Sequence, residues 1–258
     1  VIGFSGRIIT SGKQNKYLNT KETEIFKKGK LLYHYHIAKE AVRVSKNIII
    51  MEGFMDVIRA SIFGFDNTIA TMGTALTKDH INNIKRLSLN IILCFDGDEA
   101  GQKATLSAGN LFQEAGIEVK VIELPEADDP DSFLLTKGKD AFTSLINSAI
   151  YFKDYKIKRL KSKVNFASSE EKADYIHKVL EETKEIEDPI RIEIILKDLA
   201  KNFEIGYNTL EKSFQELRGK KEIKSLKIME TKTPTEKLDK YQKASYALLS
   251  YMIDSPWV

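Results

Sequence analysis

Three apolar runs of this sequence each end in acidic residues. They are residues 48–51 before Glu52, residues 91–95 before Asp96 and Asp98, and residues 119–124 before an acidic turn at 128–131. If the runs are neighbouring parallel strands, their acids meet beyond the carboxyl ends of the strands, where open α/β sheets place their sites. Crowded carboxylates repel one another unless divalent cations lie among them. The pattern therefore predicts metal-assisted chemistry on phosphates.

The strongest of these motifs is the pair of acids around Gly97. Asp96 and Asp98 can both turn toward one cation, because the glycine relaxes the backbone and removes the side chain between them. A calcium loop of the EF-hand type does not fit, since Ser107 stands where the bidentate glutamate belongs. A phosphatase that forms an aspartyl-phosphate also uses two such acids after a strand, and it stays a minor alternative.

The remaining acids are weaker signals when each is taken alone. Glu52 precedes Gly53 at the start of a predicted helix, and Asp56 lies in the first turn of that helix. Asp129 and Asp131 flank a proline that fixes the turn between them. Charges that favour a helix start, or side chains that cap one, explain these residues equally well. The three motifs together, in this order and each at a strand end, are more specific evidence for a metal-binding site than any one of them alone.

The elements that position these acids alternate between strand and helix. Strands are predicted at 47–52, 68–72, 90–96 and 118–124, and helices at about 54–63, 77–87, 99–115 and 139–148. This alternation predicts an α/β fold with a mainly parallel sheet flanked by helices. Short strands are also predicted within 3–10 and 17–19, around a turn at Ser11 and Gly12.

The strand pattern stops after residue 150. Helices are predicted near 151–163, 168–186, 189–203 and 208–219, followed by a lysine-rich linker at 219–234 and an amphipathic helix at 235–253. We therefore predict an all-α helical bundle after the α/β part. The predicted division is 1–46, a basic N-terminal part; 47–150, the acidic α/β domain; 151–219, the helical bundle; and 220–258, a linker and the start of a further region.

Composition excludes several classes of protein. A chain of 258 residues with 42% hydrophobic and 30% charged residues is typical of a folded protein with more than one unit. We see no signal peptide and no apolar run of about 20 residues, so we expect a cytoplasmic protein without a membrane partner. The single cysteine, Cys94, has no partner for a disulfide or a thiolate zinc site.

Charge is distributed unevenly along the chain. Residues 1–50 hold ten Lys and Arg against three Asp and Glu, whereas residues 51–150 hold eight against fifteen. A basic segment before an acidic one fits a polyanion bound by the first and metal ions bound by the second. A solvated lysine-rich surface is the simpler explanation for any single lysine.

Five short motifs carry a resemblance to a known family. They are GFSGR at 3–7, KYLN at 16–19, FKKG at 26–29, MEGFMDV at 51–57 and FDGDEAG at 95–101. The acids resemble those of the TOPRIM domain found in topoisomerases, primases, some nucleases and recombination mediators. The longer motifs resemble the catalytic core of bacterial replicative DNA primases, from residue 3 to about 145.

The resemblance implies an RNA polymerase that copies a single-stranded DNA template into a short RNA primer from ribonucleoside triphosphates. It implies Glu52, Asp96 and Asp98 as the main catalytic acids, which bind Mg²⁺ or Mn²⁺, and Asp56, Asp129 and Asp131 as further metal-binding acids. It also implies a neighbouring surface that binds template or nucleotide. The residues of that surface are Arg7, Lys16, Asn19 and Lys28.

The resemblance also implies parts that this chain lacks. No methionine opens the chain, and no zinc ligands are present to build the zinc-binding domain of the family, so we expect a fragment of a longer protein. A replicative helicase is an implied partner through a C-terminal domain, of which residues 220–258 are expected to be only the start. A TOPRIM nuclease and a non-catalytic DNA-binding module stay open as alternatives.

Overall fold

The computed structural model of the chain describes residues 2–7, 17–125, 128–162, 164–230, 241 and 244–245. Contacts divide the chain into two compact units, Val1–Tyr175 and Ile176–Val258. In the described stretches, no helix has the length and apolar character needed to cross a membrane. The finer division after residues 46, 150 and 219 stays a prediction.

A two-stranded antiparallel ribbon opens the first unit. Strand β1 (Ser5–Arg7) pairs with β2 (Tyr17–Asn19), with Ser5 opposite Asn19. The turn predicted at residues 11 and 12 lies outside the described residues. The ribbon ends at Asn19, whose side chain contacts the carbonyl oxygen of Met72.

A six-stranded sheet forms the centre of the first unit. Its strands are β3 (Leu32–Tyr33), β4 (Ile48–Met51), β5 (Thr68–Thr71), β6 (Ile91–Leu93), β7 (Val119–Val121) and β8 (Ile150–Tyr151). Their order is β3-β5-β4-β6-β7-β8. The four inner strands are parallel, whereas β3 and β8 pair antiparallel at the two edges. The predicted mainly parallel sheet is confirmed.

Helices cover both faces of this sheet. They are α1 (Tyr35–Ser45), α2 (Phe54–Ile62), α3 (Lys78–Lys85), α4 (Glu99–Glu114), α5 (Pro130–Asn147) and α6 (Phe152–Lys161). Every residue of β4 is buried, and its side chains alternate between two hydrophobic clusters. Ile48 and Ile50 join the cluster that includes Phe112 of α4, and Ile49 and Met51 join the cluster that includes α2 and α5. A strand buried on both faces reads as a continuous apolar run, which is why β4 was predictable.

The strand order creates one position where the chain reverses its direction across the sheet. From β4 the chain passes through α2 to β5 on one side, and it returns through α3 to β6 on the other side of β4. The loops after β4 and β6 therefore diverge and leave a crevice at their carboxyl ends. Such switch points are where open α/β sheets bind ligands.

Helix α6 belongs to the first unit, because it contacts β7 and β8. Its Phe152 ring lies against α4 so closely that a Cβ added to Gly109 would meet a ring carbon at 2.1 Å. A glycine is therefore required at this contact between two helices.

The bounds of two helices differ most from the prediction. Helix α5 begins at Pro130 instead of about 139, and Gly138, with a non-helical φ of 79°, separates two helical segments, of which only the second was predicted. Helix α9 (Tyr207–Glu230) continues through most of the predicted linker. Lysine, glutamate, leucine and isoleucine all favour helix, and the single Gly219 costs only about 1 kcal/mol there. The predicted helix at 235–253 lies largely outside the described residues.

The described residues of the second unit are largely helical, as predicted. Helix α7 (Ser169–Thr183) enters it, and α8 (Pro189–Phe203) contacts α9. Asp188 caps α8 by accepting the Ile190 N–H at 2.9 Å. Buried apolar side chains within this unit form its core: Ile176, Val179, Leu180, Ile186, Ile192, Leu196, Leu199, Leu210 and Phe214.

Candidate active site

A cavity of about 410 Å³ lies at the carboxyl ends of β4 and β6. We call it the acid cavity. Five carboxylates predicted from the sequence line it: Glu52, Asp56, Asp96, Asp129 and Asp131. Asn19, Phe54, Met55, Thr71 and Gly73 complete the wall, together with Gly53. The structure thus brings together acids that follow three separate strands, β4, β6 and β7.

Glu52 and Asp96 lie at the centre of this group. The Asp96 backbone N–H donates to Glu52 Oε1 at 3.3 Å, which ties the loop after β6 to the loop after β4. Burial, together with the charges of Asp96 and Asp98, raises the pKa of Glu52 to about 7. Burial and the charges of Asp129 and Asp98 raise the pKa of Asp96 to about 6. These acids therefore hold negative charge at a free-energy cost that a cation would remove.

Asp56 is the most buried of the acids, with 8% of its surface exposed. Its carboxylate accepts the Gly53 N–H at 3.0 Å and the Asp131 N–H at 3.3 Å. Burial and the charges of Asp96 and Asp129 nevertheless raise its pKa to about 7. Asp56 thus links the helix after β4 to the start of α5.

Asp98 and Asp129 cap helices as well as adding charge. Asp98 Oδ1 accepts the Gly101 N–H at 2.8 Å at the start of α4, and Asp129 Oδ1 accepts the Ser132 N–H at 2.6 Å at the start of α5. The capping alternative considered for Asp129 is therefore confirmed as one of its contacts. Each cap occupies one oxygen and leaves the other for a second partner.

Asp131 pairs with a cation that sequence reasoning missed. Arg59 Nε donates to Asp131 Oδ1 at 2.5 Å, and both side chains are about 30% exposed, at 28% and 30%. Arg59 lies three residues after Asp56 on α2, so both face α5. No motif marks this arginine, because its partner is 72 residues away in the sequence.

Gly97 allows the loop after β6 to pass directly beside the loop after β7. A Cβ added to Gly97 would lie 2.0 Å from the Pro125 carbonyl oxygen. The Gly97 N–H donates to the Asp128 carbonyl oxygen at 2.9 Å. The glycine between the two acids therefore serves loop packing, in addition to the freedom inferred from the sequence.

Only part of the predicted basic surface lies within the described residues. Asn19 lines the acid cavity, and its Nδ2 donates to the Met72 carbonyl oxygen at 3.4 Å. The carbonyl oxygen of Lys28 lies 2.9 Å from Nε2 of His80. The side chain of Arg7 and the whole of Lys16 lie outside the described residues, so their contacts stay predictions.

The oxygen-only donor set suits a divalent cation, although the described acids are not gathered as one cage. Within the described stretches, no three acidic, histidine or cysteine side chains are arranged to hold one ion. Mg²⁺ usually keeps several waters and binds one or two carboxylates together with substrate phosphates. Carboxylates with raised pKa values in the wall of a cavity suit that mode of binding.

Substitution Glu52→Gln is expected to stabilise the metal-free protein at pH 8. The folded-state pKa of about 7 lies above the ordinary 4.5, so the folded state loses stability as pH rises through this window. Because solvent screens a partly exposed group, we expect a gain of about 1 kcal/mol at pH 8 and none at pH 4. Urea unfolding in EDTA measures it. Glu114→Gln on the exposed end of α4 is the control, and an equal gain at both pH values would contradict the electrostatic cause.

Three family models match this chain. The model described as Toprim-like matches residues 49–134, which contain the acid cavity except for Asn19. The DNA primase catalytic core, N-terminal domain, matches residues 1–39, and the DnaB-helicase binding domain of primase matches residues 154–206. The third match lies before residues 220–258, where the family resemblance led us to expect the start of a helicase-binding region. The sheet, its switch point and the acids thus define a Toprim-type domain.

Individual relatives identify the family within the Toprim-type proteins more narrowly. A DNA primase of Clostridium acetobutylicum is 40% identical over 200 residues, which are 78% of this chain and 33% of that protein. A DNA primase domain from Pseudomonas aeruginosa has a crystal structure that matches with a TM-score of 0.65 and 32% identity, over 83% of this chain and 68% of that one. The chain belongs to the bacterial DNA primase family.

A third relative is a DnaG primase catalytic domain whose structure was solved bound to single-stranded DNA. It matches with a TM-score of 0.64 and 29% identity, over 78% of this chain and 66% of that chain. The present chain spans about a third of the length of the curated relatives it matches, 33% for the Clostridium protein.

Proposed function

We propose that this chain is the catalytic part of a DNA primase, which copies single-stranded DNA into short RNA primers from ribonucleoside triphosphates. The observation that carries the proposal is the acid cavity, where Glu52, Asp56 and Asp96 have raised pKa values at the carboxyl ends of β4 and β6. Membership of the primase family supports it. The reaction joins a ribose 3′-hydroxyl to the α-phosphate of a triphosphate and releases pyrophosphate.

Mg²⁺ or Mn²⁺ is the proposed cofactor, with Glu52, Asp96 and Asp98 as its main ligands. When bound, such ions supply Lewis-acid activation of the 3′-hydroxyl and neutralise charge on the leaving pyrophosphate. These ions fit the acid cavity for two reasons: its charged ligands are all carboxylate oxygens, and the carboxylates repel one another when no cation lies between them.

The chain itself contributes positioning. The Asp96 N–H fixes one oxygen of Glu52, and the N–H groups of Gly53 and Asp131 fix both oxygens of Asp56. Acids held by backbone donors need little rearrangement when substrate binds, which lowers the cost of reaching the transition state. Asn19 brings the N-terminal ribbon to the same cavity, where template or nucleotide would lie.

The proposed partners follow from the same family membership. Single-stranded DNA and the growing RNA primer would lie along the basic first fifty residues, whose excess of lysine and arginine suits phosphate. A replicative helicase is the proposed partner of residues 154–206, the range matched by the helicase-binding model.

Incorporation of labelled ribonucleotides on single-stranded DNA, with Mg²⁺ or Mn²⁺, tests the function. We expect RNA products that require both template and metal. Shortening of the template would instead favour a Toprim-type nuclease. Binding of DNA without any product, also when the remaining domains of the primase are supplied, would favour a non-catalytic module.

Removing Lys16 and Lys28 together, as Lys16→Ala with Lys28→Ala, is expected to weaken single-stranded DNA binding. Each lost phosphate contact lowers the slope of log K against log salt by about 0.7, so the pair should lower it by about 1.4. Fluorescence anisotropy at several salt concentrations measures the slope. Lys137→Ala with Lys201→Ala, two exposed lysines on α5 and α8, is the control. An unchanged slope would refute the basic-surface assignment.

A further inference from the structure

Asp131 differs from the other acids of the acid cavity in what its carboxylate contacts. Oδ1 of Asp131 accepts Nε of Arg59, so the negative charge is already paired with a cation on α2. The charges that raise the pKa of Asp56 come from Asp96 and Asp129, whereas Asp131 contributes only its backbone N–H to Asp56. Asp131 therefore contacts the site through its main chain more than through its carboxylate.

The start of α5 is a rigid segment that carries this N–H. Asp129 caps the helix through the Ser132 N–H, and the Ser132 hydroxyl accepts the Asp129 N–H at 3.1 Å in return. Pro130 occupies the first helical turn, where its ring fixes φ. A contact that holds Asp131 in place therefore also holds Asp129, which lies in the same segment.

Arg59 is the group that holds this segment against α2. It lies on the same helix as Asp56, one turn further along, and its pair with Asp131 spans 72 residues of sequence. A carboxylate bonded to arginine is a poor ligand for Mg²⁺, because binding the ion would bring two cations together. We propose that Arg59 and Asp131 form a positioning pair, not a metal-binding one, which sets Asp56 and Asp129 for the metal ions of the proposed primase reaction.

A double-mutant cycle tests this assignment, with Mn²⁺ binding followed by electron paramagnetic resonance. Arg59→Ala, Asp131→Ala and the double variant should each weaken Mn²⁺ binding by a similar factor of about 10, because loss of either partner frees the same segment. Arg59→Lys, which keeps the charge, should recover part of the affinity. Arg43→Ala and Glu40→Ala, which break an exposed pair on α1, should leave Mn²⁺ affinity unchanged.

Two results would overturn the positioning pair. If Asp131 binds metal, Asp131→Ala weakens Mn²⁺ binding while Arg59→Ala strengthens it, since a nearby positive charge has gone. If the pair serves stability alone, all variants unfold more easily but bind Mn²⁺ normally and keep their kcat. Primer synthesis is a separate readout: its absence in the parent protein, also when the remaining domains of the primase are supplied, would contradict the proposed function, while the Mn²⁺ cycle would still decide the role of Asp131.

Discussion

Asp96→Asn is expected to reduce primer synthesis by at least about 10³-fold while the protein stays folded. The substitution removes the negative charge at the centre of the acid cavity and keeps the size of the side chain and the backbone N–H that binds Glu52. Loss of metal-assisted charge stabilisation worth several kcal/mol accounts for a rate loss of this order. Labelled ribonucleotide incorporation on a single-stranded template measures it.

Stability is the internal control for this variant. Because the pKa of Asp96 is raised to about 6, an uncharged amide should leave the free energy of unfolding at pH 8 unchanged or higher. Asp140→Asn makes the same chemical change on the exposed surface of α5 and should retain parental activity. Primer synthesis within about threefold of the parent by Asp96→Asn, at matched Mg²⁺, would contradict the catalytic assignment of Asp96.

Gly97→Ala is expected to have the second large effect, on folding as well as on activity. The new Cβ would meet the Pro125 carbonyl oxygen at 2.0 Å and the Leu124 carbonyl oxygen at 3.1 Å, and backbone atoms cannot swing away as a side chain can. We expect the free energy of unfolding to fall by about 3 kcal/mol and Tm to fall by about 6–12 °C. Calorimetry measures both.

The matched control is Gly219→Ala in α9. A Cβ added to Gly219 meets no described atom within 4 Å, so alanine should be neutral or slightly stabilising there. If Gly97→Ala lowered Tm no more than Gly219→Ala, the close approach of the two loops would be refuted. Gly97→Ala should also lose primer synthesis at temperatures where the variant is still folded, because the loop that carries Asp96 must shift to admit the methyl group.

The inner strands and the clustering of acids were predictable from the sequence, because both depend on local pattern. A strand buried on both faces, such as β4, reads as an unbroken apolar run, and parallel strands bring the residues after them to one edge of the sheet. Glu52 and Asp96 were therefore expected to be neighbours, and they are. This step assumed that the strands before these acids are neighbours, and β4 and β6 do pair with each other.

What the sequence did not predict depends on contacts between distant residues. Strands β3 and β8 have two residues each, too few for a periodic pattern, and they exist only because β5 and β7 pair with them. The hydrogen bond from Arg59 to Asp131 is equally non-local, because neither the residue types nor their spacing in the sequence predicts it. The first segment of α5 was missed because residues 128–131 were interpreted as an acidic turn, whereas Asp129 caps a helix that begins at Pro130.

The hydrogen bonds that fix the acids also constrain when the site can form during synthesis. Glu52 receives its backbone donor from a residue 44 positions later, and Asp56 receives one from a residue 75 positions later. A ribosome that has released only β4 and α2 exposes carboxylates without these donors. The acid cavity is thus completed only when the start of α5 has emerged and docked, and nascent chains that stop earlier hold the acids without these hydrogen bonds.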